Sequence, residues 1–208
     1  MRKYIAEFIG TFFLVLTIGC TVLAKAPGVI PPLAIGATLI AMVYACGHTS
    51  SAHFNPAVSL AFWIRGRMET KDFLPYVIAQ ILAAIAAALV ATFLTDKSGT
   101  PGEITNYPQV IVAEFLFTFA LAFVVLNVAT AKGTSGNSFY GLAIGIIVMG
   151  GAFAVGPISG GVFNPAVAVA VVFMKLFTFA QIGVHIVADF AGGLVAGLAF
   201  NFINPNDK

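Results

Sequence analysis

Ser51-Ala52-His53-Phe54-Asn55-Pro56-Ala57-Val58 and Ser159-Gly160-Gly161-Val162-Phe163-Asn164-Pro165-Ala166-Val167 are two versions of one signal, 109 positions apart in a chain of 208 residues. Proline in the first turn of a helix loses nothing, because its missing N–H would be unpaired there. Asparagine just before it is a good N-cap. Each Asn-Pro-Ala therefore reads as a helix start. The apolar runs that follow, 55–64 and 164–174, are roughly 15 Å long at about 1.5 Å per residue. That is half of a hydrocarbon core of about 30 Å. Neither run spans a bilayer alone, but two set end to end do.

The rest of the chain fits that solvent. It is 60% hydrophobic and 9% charged, with 10 Lys and Arg against 8 Asp and Glu. Its mean hydropathy is +1.00. A soluble chain of this size exposes far more charge, so most of this surface faces lipid. Six further segments are long and apolar enough to span: 4–24, 30–47, 73–95, 108–130, 139–156 and 178–203. The first, preceded by Arg2 and Lys3, is read as a span and not a signal peptide, since Glu7 would sit in the signal's apolar core. Cys20 and Cys46 fall inside spans and read as small apolar fillers rather than a disulfide framework. A net charge of +2 is too small to imply a nucleic-acid partner.

Lys and Arg orient the spans. With both termini cytoplasmic, the inner side holds Arg2, Lys3, Arg65, Arg67, Lys71, Lys132 and Lys208, and the outer side Lys25, Lys97 and Lys175. The segment 96–107 is then an outer linker and 131–138 a short inner loop. The halves also match beyond the tripeptide. Leu33-Ala34-Ile35-Gly36 recurs as Leu142-Ala143-Ile144-Gly145, and Ala6-Glu7-Phe8 as Ala113-Glu114-Phe115. Each half holds three spans and a half-helix, and three is odd, so the second half enters the membrane upside down. The chain is expected to be a single all-α membrane domain over 1–208. Six transmembrane helices and two re-entrant half-helices form an inverted repeat, with repeat one at about 1–95 and repeat two at about 108–208.

Inversion brings the two half-helix N-termini together near the midplane. Each carries roughly half a positive charge, so the pair opposes a cation between them. The Asn55 and Asn164 amides are placed to donate to one passing oxygen. The lead-ins Gly47-His48-Thr49-Ser50-Ser51 and Gly156-Pro157-Ile158-Ser159-Gly160-Gly161 read as non-helical backbone, tolerated at this depth only when buried or lining a wet cavity. Carbonyls of Ser51, Ala52, His53, Gly160, Gly161 and Val162 form a candidate ladder of acceptors. Among walls of Val, Ile, Phe and Ala, such a stripe suits neutral polar molecules and resists ions. Glu7 and Glu114 are intramembrane carboxylates, expected to anchor the re-entrant loops by accepting their N–H groups. His48 and His53, on the loop before Asn55, are expected to hydrogen-bond backbone, which adds His48 to the loop-bracing set. His185 and Asp189, at i and i+4, are placed to pair with each other. Gln80 holds Asp189's place in the first repeat, and these polar groups read as locks between helices.

With these residues in hand, the chain resembles the aquaporin, or major intrinsic protein, family. The likeness rests on Ala6-Glu7-Phe8, Gly47-His48, Ser51 to Val58, Ala113-Glu114-Phe115 and Ser159 to Ala166. It implies a homotetramer with one pore per subunit in a cell membrane, no cofactor, no metal and no enzymatic activity. It also implies an outer filter of four positions, which ungapped spacing places on Ile35, Ala152, Gly161 and Val167. Water-selective members typically have an aromatic residue, a His and an Arg there, and glycerol-conducting members typically keep the Arg. Here the Arg position is Val167, and the filter is small and apolar. Some plant vacuolar members similarly carry Val and resemble broad conductors. The expectation is a passage for water and small neutral solutes of the glycerol, urea, ammonia or hydrogen peroxide class. The competing readings are a strictly water-selective channel, a secondary transporter with a charged coupling site, a membrane enzyme using His48, His53 or Asp189, and a sealed junction protein.

Overall fold

The computed structural model describes residues 1–207. Lys208, counted above on the inner side, lies outside them. Eight α-helices follow in order: α1 (Arg2–Leu23), α2 (Ile30–Ser50), α3 (Pro56–Arg65), α4 (Thr70–Thr95), α5 (Tyr107–Thr130), α6 (Tyr140–Ser159), α7 (Pro165–Phe173) and α8 (Phe179–Ile203). Six of them are long and apolar enough to cross a membrane; α3 and α7 are the two short ones.

The starts and stops have local causes. Pro31, Pro56, Pro108 and Pro165 occupy first-turn positions. Asn55 and Asn164 cap α3 and α7 by accepting the N–H of Ala57 and Ala166, at 2.8 and 2.9 Å. Gly66, at φ +79°, ends α3 in the left-handed region.

The lead-ins depart from the non-helical reading. α2 continues to Ser50 and α6 to Ser159, with Pro157 inside α6. Gly47 is not a helix breaker. It is where α2 passes Tyr140, whose ring a Cβ at Gly47 would meet at 3.4 Å. Between these helices and the half-helices that follow, irregular backbone is confined to 51–55 and 160–164.

The packing repeats by halves. α1 lies on α4 as α5 lies on α8, and α1 lies on α2 as α5 lies on α6. Each half-helix is held by the other half: α3 packs on α8 and α7 on α4. Self-related contacts mark the pseudo-two-fold. Gly36 and Gly145, counterparts in the repeated Leu-Ala-Ile-Gly, face each other where α2 crosses α6; a Cβ on Gly145 would lie 2.5 Å from Gly36 O. Small residues permit such backbone contact inside a membrane.

α8 approaches α3 the same way. A Cβ at Gly193 would lie 2.3 Å from Ala57 O and 2.9 Å from Ala57 C, both rigid backbone. Gly193→Ala is therefore expected to push α8 off the start of α3, at an overpacking cost of about 1–3 kcal/mol. The checks are a lower melting temperature and reduced solute flux; an unchanged melting temperature contradicts the contact.

Lys3, Arg65, Arg67 and Lys132, all placed on the inner side above, engage acidic side chains. Lys3 pairs with Asp72, and Arg65 with Asp207 at 2.7 Å, with Arg67 3.8 Å from the same carboxylate. Asp207 also accepts the Lys132 N–H at 2.7 Å. Arg65, 5% exposed, lies 4.4 Å from the Phe200 ring centroid, so its charge is matched on one side and stacked on the other.

Candidate functional site

Residues 51–55 and 160–164 turn back into the protein through unusual backbone. Ser51, Ala52, Phe54 and Phe163 have φ between +49° and +68°, and Gly160 and Gly161 lie at +90° and +64°. Non-glycine residues in this region cost about 1–3 kcal/mol each and persist only where their surroundings hold them. Here carboxylates hold them. Glu7, fully buried, accepts from Ser50 Oγ at 2.7 Å, His53 N at 2.9 Å, Phe54 N at 2.7 Å and Gln80 Nε2 at 2.8 Å. Glu114, equally buried, accepts from Val162 N at 3.1 Å and Phe163 N at 2.6 Å. Tyr76 adds a bond from its hydroxyl to Ser50 O at 2.9 Å.

His48 is not part of this brace. It is exposed in the last turn of α2, makes no hydrogen bond among the described residues, and lines a second cavity with Ser51, Arg67 and Lys132. α2 stays helical to Ser50, so His48 sits in the last turn of the helix and not on the loop it was expected to hold. Ser50, Tyr76 and Gln80 do that work, and none of the three was assigned to it from sequence. Ser50 and Ser159 are 109 positions apart, so the repeat offset was the available signal.

The two Asn residues meet through the opposite half. Asn55 Nδ2 donates to Phe163 O at 2.8 Å, and Asn164 Nδ2 donates to Phe54 O at 2.9 Å. A side-chain amide carries two N–H donors, so each Asn has one hydrogen committed across the two-fold and one left over. Both line the same cavity of about 450 Å³. Pro56, Ala57, Pro165 and Ala166 stand behind them, buried, as the first turns of α3 and α7.

The four filter positions, Ile35, Ala152, Gly161 and Val167, all line this cavity, and Phe153 lines it beside them. Gly161 lies against α6: a Cβ there would sit 3.5 Å from the Cα of Ala152. The remaining wall is apolar, including Leu14, Leu39, Val58 and Leu121. Of the six residues expected to form the carbonyl ladder, His53, Gly160, Gly161 and Val162 line the main cavity and Ser51 the second one. Ala52 is the exception. It is buried, donates its N–H to Ser50 Oγ at 3.1 Å and lines neither cavity, so it drops out of the wall. This second cavity, about 620 Å³, shares Ile144 with the main one, and Arg67 and His48 are among its lining residues.

His53 is polar and 5% exposed. Its Nδ1 is 3.0 Å from Ser59 Oγ, its ring centroid lies 4.0 Å from that of Phe62 with the planes tilted by 40°, and its Nε2 has no partner among the described residues. His185 and Asp189 do not pair. The His185 ring nitrogens lie 3.2 Å from Gln181 O and 2.9 Å from Ser159 O, while Asp189 accepts from Thr118 at 2.8 Å. Each locks α8 to a neighbouring element, and the two serve different elements. The i, i+4 spacing brings two residues to one face but does not choose between partners on the same helix and partners across a contact.

Comparisons with known proteins agree with this architecture. The profile of the major intrinsic protein family matches residues 1–204. Aquaporin NIP1-4 of Oryza sativa subsp. japonica is 35% identical over 98% of this chain and 77% of its own length. Aquaporin NIP1-1 of Zea mays is 36% identical over 100% and 77%, and Nodulin-26 of Glycine max 34% over 100% and 80%. Among solved structures, the aquaglyceroporin from Plasmodium falciparum superposes with a TM-score of 0.85 at 23% identity, covering 98% of this chain and 97% of that one. That last likeness is one of fold.

Proposed function

This chain belongs to the major intrinsic protein family, and from that premise we propose that it is a passive transmembrane channel for water and small neutral solutes such as glycerol and urea. The observation that carries the reading is the pair of reciprocal bonds, Asn55 to Phe163 O and Asn164 to Phe54 O, which sets two helix N-termini and two spare amide donors on one apolar-walled cavity. A solute oxygen between Asn55 and Asn164 accepts from both and continues along the carbonyls of Gly160, Gly161, Val162, His53 and Ser51. An ion finds no counter-charge in the main cavity: its lining carries no Asp, Glu, Lys or Arg. Two helix dipoles repel a cation there.

Ile35, Ala152, Gly161 and Val167 form the outer filter in this reading. Without a guanidinium the opening is wide and greasy, so it admits the CH₂ groups of a polyol as well as water. The working unit is a homotetramer with one pore per subunit. Broad apolar faces, including exposed Leu82, Leu89, Phe93 and Phe202, are available to lipid and sister subunits. The protein lies in a cell membrane with both termini cytoplasmic, an orientation supported by the basic cluster around Lys3, Arg65, Arg67 and Lys132. Proteoliposome swelling measured in parallel for water, glycerol and urea, with an internal ion-sensitive dye, tests this. Rapid swelling for all three with a silent dye is expected; a dye response or a solute-tight vesicle overturns the reading.

A further inference from the structure

The second cavity carries charge that the main one lacks. Arg67 and Lys132 both line it, and no Asp or Glu among the described residues lines it with them. One nearby carboxylate, Asp207, is already engaged. It binds Arg65 at 2.7 Å and accepts the Lys132 N–H at 2.7 Å, and it lies 3.8 Å from Arg67. The Lys132 ammonium donates to a neutral group, Asn206 O, at 3.1 Å. The Arg67 side chain is 41% exposed. Two cationic heads thus line one hollow, and among the described residues no carboxylate stands at hydrogen-bond distance from either. Further donors line it too. Among the described residues, the His48 ring and the Ser135 and Tyr140 hydroxyls make no hydrogen bond, and the Gly136 N–H has no partner, on backbone at φ +76°.

At about 620 Å³ the hollow is larger than a bare ion needs and falls within the range of small-molecule sites. A guanidinium fork takes two phosphate oxygens at once, and an ammonium takes one as a point charge. A phosphate offers more oxygens than a carboxylate, which matches a donor set of this size. We propose that the second cavity is a binding site for a small phosphate-bearing anion, held by Arg67 and Lys132 with Ser135 and Gly136 as further donors. A phosphate ester of a small polyol fits both the charge and the volume. The cavity meets the main one at Ile144 and contains Ser51 of the expected ladder, so its occupant obstructs the passage. Obstruction rests on the channel reading above; binding does not.

Glycerol phosphate is the probe, with sodium chloride at equal ionic strength as the control. The melting temperature of the whole protein in detergent reads binding. Glycerol swelling of phosphatidylcholine vesicles, with the anion on both faces, reads obstruction. At about ten times a dissociation constant of about 1 mM, the melting temperature is expected to rise by about 3–6 °C and glycerol flux to fall roughly tenfold. Each flux is a ratio of the values with and without the anion, so a changed resting flux cancels. Arg67→Gln combined with Lys132→Gln is expected to lose both responses, while Arg67→Lys, which keeps the charge, retains part of them. The two single variants decide the matter if the double one does not fold: each is expected to weaken both responses. Adding phosphatidylglycerol to the vesicles separates a dissolved phosphate from a lipid headgroup. Flux lowered by that lipid alone, and restored in Arg67→Gln with Lys132→Gln, supports the same site with the headgroup as occupant. A melting temperature indifferent to glycerol phosphate, a response that survives loss of both cations, or binding without loss of flux overturns the proposal. Vesicles that do not swell even without the anion contradict the channel reading instead, and the melting shift still judges the site.

Discussion

Glu7→Leu is expected to abolish the folded first re-entrant loop and, with it, solute flux. The substitution removes the acceptor of four hydrogen bonds in a fully buried place. The two backbone donors alone, His53 N and Phe54 N, represent about 2–6 kcal/mol once left unpaired, against a total folding stability of about 5–15 kcal/mol. The left-handed conformations at Ser51, Ala52 and Phe54 lose their restraint at the same time. Glu7→Gln, which keeps one acceptor oxygen, is expected to lie between. Melting temperature in detergent and glycerol flux in vesicles are the checks. A Glu7→Leu protein that melts and conducts like wild type contradicts the bracing role.

Val167→Arg is expected to separate the solutes. Val167, in the first turn of α7, lines the same cavity as Gly161, Ile35 and Ala152. Arginine brings a longer side chain, a fixed positive charge and five donors. A drop of about tenfold in glycerol and urea flux needs only about 1.4 kcal/mol of added barrier, well within what lost width supplies. Water, smaller and able to use the new donors, is expected to lose much less. The charge also sits in the first turn of α7, where the helix dipole disfavours it by a few tenths of a kcal/mol, roughly, so yield falls modestly. Stopped-flow swelling of one vesicle preparation with each solute reads the ratio directly. Unchanged glycerol and urea flux removes Val167 from the filter.

Much of the architecture was written in local chemistry. Proline after asparagine set the starts of α3 and α7, and the six long apolar stretches set the spans within a few residues. The repeat offset showed that Gly36 answers Gly145, and these two glycines meet where α2 crosses α6. Signals that mean different things in different packing misled. Gly47 and Pro157 looked like breakers, yet both lie inside helices. His48 was placed on the loop by position in the motif, and α2 keeps it helical; Ala52 was placed on the ladder, and it is buried in the loop away from both cavities. Partner choice was the least legible level. His185 and Asp189 share a face, but the crossing of α8 with α5 brings Asp189 to Thr118, while His185 reaches Ser159 O at the very end of α6. Only assembled helices create those neighbours.

A structure of the protein in a lipid bilayer, at a resolution that shows ordered water, is the most direct test. We expect a file of oxygens through the main cavity, with one site in hydrogen-bond range of both Asn55 Nδ2 and Asn164 Nδ2. A passage plugged by its own side chains between those amides, or one in which an ion rests there, would contradict the account.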